Sequence, residues 1–179
     1  MSTPKEHKIA LLGLGYVGLP LAVAFAEHYD VLGFDTNAEK AHRIASGIDP
    51  TNELEGGQLS HALTTRLTIS SNPADLSACN TFIITVPTDI NPDKSPNLDP
   101  LIQASRTIGQ HLHPGDLVIY ESTTYPGCTE EVCVPILEQS SGLTYNLDFT
   151  VGYSPERINP GDKQRNVTNI LKVTSGSTK

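Results

Sequence analysis

The sequence predicts an α/β fold: a doubly wound, mostly parallel sheet with helices on both faces. Two observations predict it. Short apolar runs alternate with helix-like stretches along the whole chain, as strands covered by crossover helices require. A G-x-G-x-x-G cluster, Gly13-Leu-Gly-Tyr-Val-Gly18, also stands directly after the first apolar run and opens the first helical stretch, which is the Rossmann-like arrangement.

Residues 8–13 read as the first buried strand. Residues 17–28 form a helix with Val17, Leu21, Val23, Ala24 and Phe25 on its sheet face, Pro20 being tolerated in the first turn. Residues 29–34 are the second strand, ending at Asp35, and residues 37–46 the next helix, closed by Gly47 as a left-handed cap. Residues 48–66 are rich in Gly, Asn and Glu and are expected to be loop plus a short helix at 58–64. A short strand follows at 67–70, a turn at 72–75 and a buried strand at 81–86. Residues 88–98, which follow Pro87, hold two more prolines, Pro92 and Pro96, and no periodic pattern. This is a long loop at the carboxyl end of a strand, where open α/β sheets place their ligands. Residues 101–112 are helical, with Asp99 as N-cap and Pro100 at the first position. A strand at 116–121 leads into a helix at 129–139, with Thr129 as cap and Glu130 and Glu131 favourable in its first turn. Strands are expected at 149–153 and 170–174. Residues 1–179 thus read as one domain, without repeat or linker.

Lys and Arg total 12 against 20 Asp and Glu, a net charge of −8. The cations are not clustered, so a nucleic-acid partner is not expected. No stretch approaches the ~20 apolar residues of a membrane span, and the apolar start is broken by Gly13, Gly15 and Gly18 without a cleavage site, reading as a strand rather than a signal peptide. Cys79, Cys128 and Cys133 cannot all pair and match no metal spacing. They read as buried or structural thiols, no metal site is expected, and a reducing cytoplasm is the expected location.

The glycine cluster has a chemical reason in this setting. Gly13 permits the tight turn, Gly15 lets the backbone approach a pyrophosphate, and Gly18 lets the helix lie close on the strand. The helix amino end offers free N–H groups to the phosphates. Asp35 ends the second strand, 22 residues after Gly13, where a carboxylate accepts ribose hydroxyls of NAD and repels the 2′-phosphate of NADP. The expected cofactor is therefore NAD. Lys40 either flanks the adenosine end or is a solvated helix residue; the sequence supports both.

From the glycine turn onward the residues resemble the UDP-glucose/GDP-mannose dehydrogenases, which oxidise the C6 alcohol of a nucleotide sugar to a carboxylate. The matching text is Gly13-Leu-Gly-Tyr-Val-Gly-Leu-Pro20, Val86-Pro-Thr88, Glu121-Ser-Thr-Thr-Tyr-Pro-Gly127 and Tyr153-Ser-Pro-Glu-Arg-Ile-Asn-Pro-Gly161, in order over nearly the whole chain. The wording around Cys128-Thr129 and up to Asp162 is most similar to the bacterial branch acting on UDP-N-acetylhexosamines. The resemblance implies a cofactor-binding set of Gly13, Gly15, Tyr16, Val17, Gly18, Asp35, Lys40, Pro87, Thr88 and Thr123. It implies catalytic roles for Thr123, beside the nicotinamide with a held water, and for Glu156 in acid–base work. Arg157, Asn159, Pro160 and Gly161 would take the substrate's diphosphate, a guanidinium suiting it well. One departure is Asp89, where the family commonly has proline.

In that family two hydride transfers to NAD are separated by an enzyme thioester, and the cysteine lies in a Gly-x-Cys-x-Pro-Lys-Asp motif that does not occur here. The chain is therefore expected to be the amino-terminal NAD-binding domain of a longer enzyme, binding NAD but inactive alone. The expected partner is a UDP-N-acetylhexosamine, and the full-length protein is expected to be a homodimer. The alternative is a non-catalytic NAD-binding regulatory module, which needs the glycine turn and Asp35 but has no use for residues 153–161.

Overall fold

The computed structural model describes residues 6–157 and 170–178. Six parallel strands form the sheet: β1 (Lys8–Leu12), β2 (Asp30–Phe34), β3 (Leu67–Ser70), β4 (Thr81–Ile84), β5 (Asp116–Tyr120) and β6 (Phe149–Tyr153). A two-residue antiparallel strand, β7 (Ser175–Gly176), closes the order β3-β2-β1-β4-β5-β6-β7. Helices α1 (Gly18–Phe25), α2 (Ala38–Ala45), α3 (Gln58–Thr65), α4 (Asp99–Gly109) and α5 (Val134–Ser141) fill the crossovers. The predicted fold class is borne out. β1 pairs with both β2 and β4, so successive crossovers leave it in opposite directions and open a crevice above its carboxyl end.

The two-residue period of the strands divides the core. Ile9, Leu11 and Ile83 face one layer with Leu19, Leu21 and Ala22 of α1, Ile44 of α2 and Leu59 of α3. Ala10, Leu12, Phe82 and Ile84 face the other, with Leu101 and Ile108 of α4 and Leu137 of α5. In the second layer Tyr120 is fully buried, and its hydroxyl shares a 2.7 Å hydrogen bond with Ser105, satisfying a polar group that would otherwise cost stability.

Several elements differ from the sequence reading for local reasons. The turn expected at 72–75 continues as a 3₁₀ turn, Pro73–Ala78, started by Asn72 accepting from the Ala74 N–H. Helix α4 begins at Asp99 instead of being capped by it. Leu98 holds the N-cap position without a side-chain cap, and Asn97 Oδ1, one residue earlier, accepts from the Asp99 N–H at 3.0 Å. Thr129 is likewise not a cap: Thr129–Cys133 is a wide π-helical turn leading into α5. The first helix ends at Phe25 rather than His28. The last strand lies at Ser175–Gly176, not at 170–174. Leu171 and Val173 are exposed, and β6 offers its free edge at Gly152 and Tyr153. A Cβ at Gly152 would meet the Ser175 carbonyl at 3.1 Å, so the close approach there favours glycine.

Candidate functional site

A cleft of about 940 Å³ lies over the carboxyl ends of β1, β2, β4 and β5. Its floor is the turn after β1. Gly13 has φ +95°, and its N–H donates to the Phe34 carbonyl at 2.9 Å. The Thr85 hydroxyl donates to the carbonyls of Leu12 and Gly13 at 3.0 and 2.7 Å, sewing the turn to β4. Gly18 sits behind the floor: a Cβ there would fall 1.9 Å from the Gly13 carbonyl oxygen and 2.4 Å from Thr85 Oγ1. Gly15 faces the cleft, and a Cβ there would meet nothing within 4 Å. Tyr16 and Val17 also line it. Helix α1 has no side-chain cap and no acidic residue in its first turn, so its amino end keeps N–H groups for an anion.

Asp35 forms the wall beyond β2 and is 8% exposed. Its Oδ2 accepts from the Leu14 N–H at 3.0 Å and from Lys40 Nζ at 2.7 Å, and its Oδ1 from the Asn37 N–H at 3.0 Å. These bonds fix the carboxylate at the cleft, and Lys40 is its ion-pair partner on the wall. Asn37 caps α2 by accepting from the Lys40 N–H, and so holds both in register.

The opposite half of the cleft is built on β4 and β5. Val86, Pro87 and Thr88 line it, and Thr88 Oγ1 is buried with no hydrogen-bond partner among the described residues. The Ser122 hydroxyl donates to the Val86 carbonyl at 2.6 Å, tying the two strand ends together. Thr123 follows on the cleft surface. The loop after Thr88 folds back on itself, with the Asn97 N–H donating to the Asp89 carbonyl at 2.7 Å. Residue 89 thus closes the loop through its backbone, which any residue type supplies.

Two carboxylates meet at this end, Glu121 and Glu156. Glu156 accepts from its neighbour's Arg157 N–H through Oε1 at 2.6 Å. Burial lifts the Glu121 carboxyl above its ordinary range; Lys172 in direct contact pulls it down, and the charge of Glu156 pushes it up. Tyr16 is raised first by burial and then by Glu156 and Glu53. Arg157 is exposed and outside the cleft lining. Asn159, Pro160 and Gly161 lie outside the described residues.

The cleft suits a dinucleotide on two observations: the space in front of Gly15, and the buried Thr88 hydroxyl, which has no partner among the described residues. Sequence reasoning missed Thr85, the role of Glu121, and Lys172, as well as Gln103 and Thr107, which project into the cleft from successive turns of α4. A Thr before Val-Pro and an acidic strand end carry no local signal of such roles. The thiols are buried as expected. Burial pushes Cys79 up to about 11 and Cys133 up to about 12, and raises Cys128.

Comparison with known proteins agrees with this geometry. A profile described as "UDP-glucose/GDP-mannose dehydrogenase family, NAD binding domain" matches residues 7–179. The chain is 55% identical over 174 residues to the UDP-N-acetyl-D-glucosamine 6-dehydrogenase of Pseudomonas aeruginosa, covering 97% of this chain and 41% of that protein. It is 56% identical over 173 residues to the protein of that name from Salmonella typhi, covering 97% and 40%. Among solved structures it is similar to the UDP-D-ManNAc dehydrogenase of Pyrococcus horikoshii, with TM-score 0.84, 37% identity, and coverage of 94% and 41%. The chain thus spans about two fifths of the length of these relatives. No helix among the described residues is long and apolar enough to cross a membrane.

Proposed function

The chain belongs to the UDP-glucose/GDP-mannose dehydrogenase family as its NAD-binding domain, and from that premise we propose that it is the NAD-holding part of a cytoplasmic UDP-N-acetylhexosamine 6-dehydrogenase. The whole enzyme would oxidise the sugar's C6 alcohol to the uronic acid for surface or capsular polysaccharide. The observation that carries the reading is the convergence of four distant segments on one cleft: the glycine turn, Asp35, Val86-Pro-Thr88, and the Glu121–Thr123 end with Glu156. The sugar specificity is supported by two relatives, 55% and 56% identical, that are UDP-N-acetyl-D-glucosamine 6-dehydrogenases.

Alcohol to carboxylate removes four electrons and adds one water oxygen, and NAD supplies the hydride acceptor, two molecules per sugar. This chain's residues supply the rest of the proposed chemistry. The amino end of α1 and Gly15 take the pyrophosphate, and Asp35, with Lys40, takes the adenosine ribose. The residues at the ends of β4 and β5 would then hold the nicotinamide end, among them Thr88, whose hydroxyl has no partner among the described residues. There Thr123 holds a water, and Glu156 accepts and returns protons. The substrate's diphosphate is assigned to Arg157, whose guanidinium suits it, together with Asn159, Pro160 and Gly161, which lie outside the described residues. None of the three thiols suits the nucleophile's task, since all are buried with raised pKa. That role belongs to chain outside these 179 residues, and the full-length enzyme is taken to work as a homodimer.

Calorimetry with NAD⁺ and NADP⁺ tests the cofactor reading. NAD⁺ binds and NADP⁺ binds at least about tenfold more weakly, through repulsion of its extra phosphate by Asp35; equal affinities would refute it. Substrate profiling of the longer enzyme tests the rest: a UDP-N-acetylhexosamine yields two NADH per molecule, whereas the 179-residue chain alone yields none.

A further inference from the structure

The peptide unit between Gly13 and Leu14 is gripped at both ends. Its carbonyl accepts from the Thr85 hydroxyl at 2.7 Å, and its N–H donates to Asp35 Oδ2 at 3.0 Å. In a trans peptide the C=O and N–H lie in one plane and point in opposite directions. A donor just past β4 and an acceptor just past β2 therefore fix the rotation of that plane between them. No other donor reaches the Gly13 carbonyl among the described residues. The Leu12 carbonyl, by contrast, already receives the Thr85 N–H at 2.9 Å, so the hydroxyl proton matters most at Gly13. Thr85 is buried, and the two glycines make its place: a Cβ at Gly18 would lie 2.4 Å from its Oγ1, and one at Gly13 would lie 3.1 Å from its carbonyl carbon and oxygen. From this peptide the chain runs directly into Gly15 and the amino end of α1.

We propose that Thr85 is a positioning residue for the dinucleotide, acting through the Gly13–Leu14 peptide. Its hydroxyl sets the plane from which Gly15 and the first amides of α1 are presented to the pyrophosphate, and the same plane braces Asp35 at the ribose. A strand end here needs only a β-branched shape, which valine supplies as well as threonine. The hydroxyl is what holds the peptide, since without it the buried Gly13 carbonyl loses its donor and the Leu14 N–H is free to swing from Asp35. The inference rests on the NAD reading of the cleft given above.

The test pairs amide hydrogen exchange, read by NMR on the 179-residue chain without cofactor, with NAD⁺ calorimetry on the same samples well below the unfolding temperature. The reference amide is Val31, which donates to the Arg66 carbonyl at 2.9 Å near the other end of β2. In T85V the Leu14 amide exchanges about tenfold faster, the worth of one hydrogen bond, while Val31 keeps its rate. NAD⁺ affinity falls at least about fivefold, through the misplaced turn amides. T85S, which keeps the donor, restores both. A merely structural role for Thr85 would speed both amides alike and leave the affinity of the folded chain unchanged. An unaltered Leu14-to-Val31 ratio in T85V, an affinity that does not fall, or a T85S chain that behaves like T85V overturns the proposal. Should T85V lose its native methyl spectrum, T85A is read in its place by the same two measurements. If the unaltered chain binds no NAD⁺, the cofactor reading fails, and the Leu14 exchange still decides whether Thr85 holds the peptide.

Discussion

Replacing Gly18 by alanine, with Gly15→Ala beside it, separates packing from binding in the glycine turn. At Gly18 the new methyl would lie 1.9 Å from the Gly13 carbonyl oxygen, 2.4 Å from Thr85 Oγ1 and 3.0 Å from the Gly13 carbonyl carbon. Two of these atoms are backbone, so α1 or the turn must give by about 1 Å. Overpacking of this kind costs about 1–3 kcal/mol, and loosening the Thr85 bonds to the turn adds about 1 kcal/mol. Alanine returns roughly 1 kcal/mol of helix propensity. The net is a loss of about 2 kcal/mol, or a urea midpoint lowered by about 1 M at a slope of roughly 2 kcal/mol/M. NAD⁺ affinity falls at least about tenfold as the first-turn amides move. Gly15→Ala meets no protein atom, so its midpoint stays within about 0.3 M of the original. Its affinity nevertheless falls by about as much, because the methyl occupies space in front of the turn. A Gly18→Ala chain with an unchanged midpoint would refute the packing argument, and a Gly15→Ala chain with full affinity would refute the path assigned to the pyrophosphate.

Asp35→Ala strips the partners from the Leu14 and Asn37 N–H groups and from Lys40. Stability falls by about 1–3 kcal/mol in urea titrations, and the preference for NAD⁺ over NADP⁺ narrows in calorimetry. The three thiols resist an aromatic disulfide reagent at pH 8 while the chain is folded, since they are buried and their pKa values are raised; all three react once urea unfolds it. Burial pushes Asp49 up, but the hydroxyl and N–H of Thr51 and the N–H groups of Leu54 and Asn52 outweigh it and hold the carboxyl below its ordinary value. A lowered folded-state value contributes stability above the unfolded value and loses it as pH falls through the folded one. Asp49→Asn therefore flattens the acid limb of stability measured by urea midpoints across pH, and an unaltered limb would show that Asp49 contributes none of it.

The parallel strands and most of their helices were legible because their signals are local. Apolar runs marked β1, β4 and β5, and Gly47 closed α2 at φ +82° as expected, while Asn37, read as the first helical residue, is the N-cap. The glycine turn and Asp35 were legible because their spacing follows from a dinucleotide's dimensions. What escaped depends on contacts between distant segments. Thr85 acts on carbonyls 72 and 73 residues away, and Lys172 on a carboxylate 51 residues away. No periodicity records either. The start of α4 escaped for a different reason: Asp99 has the side chain of a good cap, whereas the folded loop places Leu98 at the cap and Asp99 inside the helix. The last strand was misplaced because alternation at 170–174 imitates a strand, whereas the site of pairing depends on the edge of β6 that is available.

The two residues of β7 have a consequence for the chain's behaviour in concentrated solution. A sheet edge with unpaired N–H and C=O groups is a template on which a second molecule can add its own strand. At β6 that edge is occupied from within: Ser175 and Gly176 pair with Tyr153 and Gly152, and Ser177 extends the seal to Val151 with its N–H and its hydroxyl. So brief a strand contributes little to the core, yet it leaves the β6 edge less open to polymerising with its own kind.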